Sequence, residues 1–227
     1  MHGDAAGLIL SVLLIGFCLG LSIFVSKTGK SRLGAMCPEI ARKIVHIGVS
    51  NWFFIYFHVF ESDLWPVAGL TAFALINAYM NISGLLGKLM GQESTGRNWG
   101  LVQYPVSIIM LIVLKNFGVG NMVAMGCAVL GMGYGDGLAS IAGMTLKSRP
   151  ITKTSKKSVA GFVTMALVTL AVFVLINLAY GPGVPVPRLL LFGLLTSIAA
   201  ALTEAFTPFG LDNISVPLTI YLIAGLV

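Results

Sequence analysis

Apolar residues fill this chain in long runs, separated by short polar breaks rather than by regular alternation. The runs lie near Asp4–Ser26, Lys43–Phe60, Leu64–Ile82, Asn98–Leu114, Val119–Leu146, Ser158–Tyr180, Arg188–Phe206 and Ile214–Val227. Most are close to the ~20 residues a helix needs to cross the hydrocarbon core. They are long and do not alternate with a period of two, which argues against a transmembrane barrel. The pattern predicts an all-α, polytopic transmembrane helix bundle of about eight spans. The second run opens on charged residues and is expected to project from the membrane at that end. Residues 1–40 read as an N-terminal span with a basic loop, and 41–227 as a membrane-embedded core.

Composition strengthens the same reading. Of 227 residues, 57% are hydrophobic and 10% charged, too little polar surface to cover a soluble domain of this size. Cys18, Cys37 and Cys127 have no metal-ligand spacing and read as packing thiols, with no disulfide framework. The first run is followed, not preceded, by basic residues (Lys27, Lys30, Arg32), as in an uncleaved first span.

Charge gives the orientation. The formal net charge is +6, and every basic residue except Lys115 and Arg188 falls on one set of alternate loops. By the positive-inside rule that side is cytoplasmic, and both termini are expected outside. The unusual polar residues His46, Glu93, Asp136, Glu204 and Asp212 fall on the same side, which predicts a composite cytoplasmic site. Membrane lipid is an expected partner and nucleic acid is not.

Asp136 is the sharpest signal. It sits in Gly133-Tyr134-Gly135-Asp136-Gly137, inside an apolar run, where a lipid-facing charge costs roughly 2.5–3.5 kcal/mol. The acid therefore faces a partner or a wet cavity. Close helix packing through glycines is the plain alternative. The functional reading makes Asp136 a metal ligand, with Gly135 and Gly137 letting a nucleotide approach the backbone. No Gly-Lys-Ser/Thr follows, so this is not a Walker loop.

Three further segments add to it. Arg42, His46 and Ser50 follow at helical spacing, with Lys43 beside them, as a positive-inside anchor or a phosphate-contacting helix end. The loop from Lys147 to Ser158 is rich in cations and hydroxyls. It reads either as a lipid-touching topology determinant or as a phosphate clamp of Lys153, Lys156 and Lys157. Lys157-Ser158 opens the next helix, where free N–H groups favour an anion. Finally, Glu204 and Asp212 bracket a turn made by Pro208 and Gly210. Asp212 or Asn213 is expected to cap the last helix. The two carboxylates are suited to Mg²⁺, which favours a few carboxylates plus substrate phosphates.

Together these segments resemble the CTP-dependent polyprenol kinases, the group of phytol kinase, dolichol kinase and the CTP-using diacylglycerol kinase. Arg42-Lys43-Ile44-Val45-His46 is similar to the family's Arg-Lys-x-x-His, and Gly100 with Tyr104-Pro105 to its Gly-x-x-x-Tyr-Pro. Gly135-Asp136-Gly137-Leu138-Ala139 with Lys157-Ser158-Val159-Ala160-Gly161 resembles its Gly-Asp-x-x-Ala…Lys-Ser/Thr-x-x-Gly core. Glu204…Asp212-Asn213-Ile214-Ser215-Val216-Pro217 is similar to its closing Glu…Asp-Asn-x-x-Val-Pro. The order spans Arg42 to Pro217, and the wording leans toward the phytol kinase branch. Ala160 departs from the Glu that many members carry, so no role for that Glu transfers.

The resemblance implies transfer of the γ-phosphoryl group of CTP to an isoprenoid alcohol with Mg²⁺. Asp136 with Asp212 or Glu204 would hold the metal. Arg42, Lys43, Gly135, Gly137, Lys153, Lys156, Lys157 and Ser158 would meet the nucleotide. The base stays open between Asp136, Glu204, Asp212 and His46. Competing readings are a CTP-dependent diacylglycerol kinase, a CDP-lipid cytidylyltransferase and, outside enzymes, a small cation-coupled transporter.

Overall fold

A computed structural model describes residues 2–85, 99–146, 148–151, 157–208 and 210–227. Among these, the chain is helical throughout its ordered elements, with one isolated β-bridge, Pro150 to Ser158. The helices are α1 (His2–Thr28), α2 (Lys30–Leu33), α3 (Cys37–Ser50), α4 (Trp52–His58), α5 (Leu64–Ile82), α6 (Gly100–Asn116), α7 (Met122–Thr145), α8 (Val159–Tyr180), α9 (Val186–Phe206) and α10 (Asp212–Ala224). Four of them, α1, α7, α8 and α9, are long and apolar enough to cross a membrane, and α6 and α10 are shorter apolar helices. The protein is an all-α membrane bundle. Large apolar side chains such as Leu13, Phe17, Phe24, Leu167 and Leu178 stand exposed, the surface expected of a chain solvated by lipid.

The chain divides into two compact units, Met1–Ile109 and Met110–Val227. In the first, α1 packs along α3 and also meets α4 and α5. Cys18, Val45, Val49 and Leu101 form a buried apolar cluster there. Gly48 faces Cys18, and its lack of a side chain lets α1 and α3 approach closely. Trp52 donates from Nε1 to Ser11 Oγ at 2.8 Å. Asp4 accepts the backbone N–H groups of Glu61 at 3.0 Å and Ser62 at 3.2 Å, tying the start of α1 to the loop before α5.

The run Lys43–Phe60 is not one continuous helix. The helix starts earlier, at Cys37, where Pro38 occupies its first turn, and it breaks at Asn51 before α4. The Asn51 side chain donates to Ile47 O at 2.9 Å, and its backbone N–H turns to Gly48 O at 3.2 Å. A short amide that competes for the preceding carbonyls interrupts the helical ladder.

In the second unit α7, α8, α9 and α10 form a ring of neighbours: α7 on α8, α8 on α9, α9 on α10, and α10 back on α7. Of these, α7 is the most enclosed, with 78% of its apolar stretch buried against 28% for α8. Its glycines explain why. A Cβ at Gly135 would stand 2.6 Å from Met165 Sδ of α8, and one at Gly131 3.1 Å from Ile220 Cδ1 of α10. Gly161 of α8 answers in kind, since a Cβ there would lie 3.1 Å from the Ala139 carbonyl oxygen. The close seam carries the site.

Candidate functional site

Asp136 lies in the buried interior half of α7, Glu204 in the last turn of α9, and Asp212 at the first residue of α10. Each offers one carboxylate oxygen such that all three atoms fall within 4.8 Å of one another. The convergence follows from the ring packing: α10 lies against α7, and the α9–α10 turn folds Asp212 back toward Glu204. Pro208 and Gly210 shape that turn, Gly210 with φ 74° in the left-handed region that favours glycine. Two hydroxyl pairs, Thr203 with Thr219 at 3.3 Å and Thr207 with Ser215 at 2.9 Å, hold α9 and α10 together beside it.

Lys157 completes the cluster. Its ammonium bonds Glu204 Oε1 and lies 3.0 Å from Asp212 Oδ2. Burial alone would favour the neutral amine. The Glu204 and Asp212 carboxylates outweigh it and hold the Lys157 pKa well above the usual lysine range, with Asp136 adding to the effect. Three carboxylates against one ammonium leave a formal charge of about −2. That surplus matches one divalent cation. The three carboxylate oxygens, within 4.8 Å of one another, would hold such an ion between them. The donor set, hard oxygens only, fits the same ion.

The backbone that presents Lys157 is pinned. Ile151 N–H donates to Lys157 O at 3.0 Å and Val159 N–H to Arg149 O at 2.9 Å, the two bonds flanking the Pro150–Ser158 bridge. Ser158 is the N-cap of α8 and accepts the Gly161 N–H at 3.2 Å. The Ala160 N–H is taken by Ser148 Oγ at 3.1 Å, and the Phe162 N–H by Ser158 O at 2.9 Å. The free helix-terminal donors anticipated for an anion at Lys157-Ser158 are thus already bonded, because the chain supplies its own caps. Lys153 and Lys156 lie outside the described residues.

Two other expectations change. Neither Asp212 nor Asn213 caps α10: the cap position is Leu211, without a side-chain bond. Asp212 instead accepts the Asn213 N–H at 3.1 Å through Oδ1 and turns Oδ2 to Lys157. Gly135 has a packing role, its open side filled by Met165. Gly137 is buried in the same helix.

Arg42, Lys43 and His46 belong to the first unit, on α3. Arg42 pairs with Glu39 at 2.5 Å, and Lys43 Nζ lies 3.9 Å from the same carboxylate oxygen. Lys43 and His46 are buried, and the His46 ring lies against Tyr104 with centroids 4.4 Å apart. Glu39 was passed over in the sequence, although its spacing of three and four residues to the two cations is the signal that finds it. Ser148 was missed because capping across a loop leaves no mark in local spacing.

No protein-family model matches the chain, and no solved structure matches it. A phytol kinase from Synechocystis sp. is 34% identical over 197 residues, which cover 86% of this chain and 82% of that protein. By that likeness the chain belongs to the phytol kinase-like polyprenol kinase family.

Proposed function

We propose that this protein is an integral-membrane lipid kinase that transfers the γ-phosphoryl group of CTP to the hydroxyl of a long-chain isoprenoid alcohol, with Mg²⁺, at the cytoplasmic face. The observation that carries the reading is the cluster of Asp136, Glu204 and Asp212 with Lys157 bonded into it. The phytol kinase relative supplies the substrate class. CTP as donor, Mg²⁺ and the orientation with both termini outside are part of the proposal.

Phosphoryl transfer asks for alignment and charge neutralisation more than for covalent help. The acceptor oxygen attacks the γ-phosphorus in line, the bond to the β–γ bridging oxygen breaks, and CDP leaves. Asp136, Glu204 and Asp212 would hold the metal, which when bound neutralises phosphate charge. Lys157, bonded to Glu204 and Asp212, supplies a positive charge where the donor phosphates must arrive. Gly143 and Gly161 keep α7 and α8 tight enough for Asp136 and Lys157 to share one site. The acceptor proton passes to a carboxylate of the cluster; a loose transition state makes little demand on that base. The apolar flanks of the bundle suit a prenyl tail, and the charged cluster suits a soluble nucleotide.

The test is product analysis with γ-labelled CTP, Mg²⁺ and a panel of prenyl alcohols, with diacylglycerol as an added acceptor. Label in a prenyl phosphate, with CDP released, is the expected result. Label in phosphatidic acid moves the protein to diacylglycerol. Pyrophosphate with a CDP-lipid replaces the reaction by cytidylyl transfer.

A further inference from the structure

The proposed metal ligands Glu204 and Asp212 already carry a cation, the Lys157 ammonium. A divalent ion and an ammonium held within a few ångström of each other repel strongly in so enclosed a place. The lysine and its two partners differ in their freedom. The side chains of Glu204 and Asp212 are 5% and 12% exposed, while that of Lys157 is 34% exposed. The Lys157 backbone is fixed by the Ile151 bond at 3.0 Å and the adjoining bridge. Its head, by contrast, hangs on a flexible four-carbon stem. When charge is crowded here, the ammonium is the group that moves.

We propose that Lys157 is an exchangeable counter-ion: a divalent cation displaces its ammonium from Glu204 and Asp212, and the released head then meets the phosphates of the incoming nucleotide. Lys157 is thereby a positioning residue that couples metal loading to donor binding. The inference rests on the metal site proposed above. It explains why the chain keeps a lysine at the centre of its carboxylates: without metal, the ammonium offsets their mutual repulsion.

The experiment uses the full-length protein in lipid nanodiscs. Labelling of Lys157 by an amine-acylating reagent is read by mass spectrometry, with exposed Lys27 as internal reference. Samples are metal-free, Mn²⁺-loaded, and Mn²⁺-loaded with a non-hydrolysable nucleotide triphosphate. Mn²⁺ binding is followed in parallel by electron paramagnetic resonance, in wild type and in Asp136→Asn. Exchange predicts that Mn²⁺ alone raises Lys157 labelling about fivefold or more and that the nucleotide reverses the gain. It also predicts Mn²⁺ binding about tenfold tighter in Lys157→Met, the loss of a competing charge. Lys157→Arg, which keeps the charge, is expected to bind Mn²⁺ as wild type does. Mn²⁺ bound through Asp136 with unchanged Lys157 labelling overturns the exchange and leaves the metal site standing. Mn²⁺ binding that is the same in wild type and Asp136→Asn overturns both.

Discussion

Gly143 and Ser158 meet where two helices of the site converge: a Cβ at Gly143 would stand 2.9 Å from Ser158 Oγ, the hydroxyl that caps α8. One contact therefore sets both the approach of α7 to α8 and the backbone just after Lys157. Gly143→Ala is expected to cost about 1–3 kcal/mol, the range for overpacking. Activity should fall further than stability does, because the displaced segment carries Lys157. Ser158→Ala removes the clashing hydroxyl, so the double variant should be less impaired than the sum of the two. A double-mutant cycle on thermal stability and turnover checks this coupling. Additive losses would mean that the contact is not shared.

Asp136→Asn keeps size and most of its hydrogen-bonding capacity but removes one charge from the cluster. Phosphotransfer is expected to fall by about 10²–10³-fold or more, the scale seen when a transition-state charge partner is lost. The protein should still insert and keep its helical content by circular dichroism. Wild-type turnover in this variant would remove Asp136 from the machinery.

The raised Lys157 pKa gives a pH signature without metal present. The group is held protonated by Glu204 and Asp212, so its stabilisation is complete below the ordinary lysine value of about 10.4 and is lost as pH rises through the higher folded value. Lys157→Met is expected to lower stability by about 1–3 kcal/mol, between a surface and a buried pair. That deficit should stay constant from about pH 7 to 9.5 and shrink only above about pH 10.5. Melting curves of both proteins in chelator across that range decide it. A deficit that already disappears near neutral pH would contradict the pairing.

Asp4 offers a contrast in the first unit. It accepts the Glu61 and Ser62 N–H groups at 3.0 and 3.2 Å, far along the chain from the carboxylate cluster. Asp4→Ala should cost about 1–3 kcal/mol by leaving these donors without their acceptor. Asp4→Asn, which keeps a carbonyl oxygen, should cost less. Turnover per folded molecule is expected to match wild type in both, measured by active-site titration alongside a thermal melt.

The spans were legible because their apolar content is one-dimensional information. Leu64–Ile82 is the helix the pattern predicts, and Val159–Tyr180 and Val186–Phe206 differ from it by one or two residues at their starts. Asn51 was not legible as a break, because its effect depends on the rotamer that carries its amide to Ile47 O. The carboxylates Asp136, Glu204 and Asp212 were visible as misplaced charges, each costly in an apolar run. Their grouping around Lys157 was not, since the bonds reach across 47 and 55 residues and arise only when the four-helix ring closes. The same holds for the caps that Ser148 and Ser158 place on α8: the sequence shows hydroxyls and an open helix end, not which hydroxyl fills it.

The paired bonds between Arg149–Ile151 and Lys157–Val159 close the intervening segment at its base. Lengthening a segment closed in this way costs only about 0.6 kcal/mol for each doubling of its length. An insertion between these two bonded pairs is therefore expected to leave the Lys157 backbone in its place beside the carboxylates.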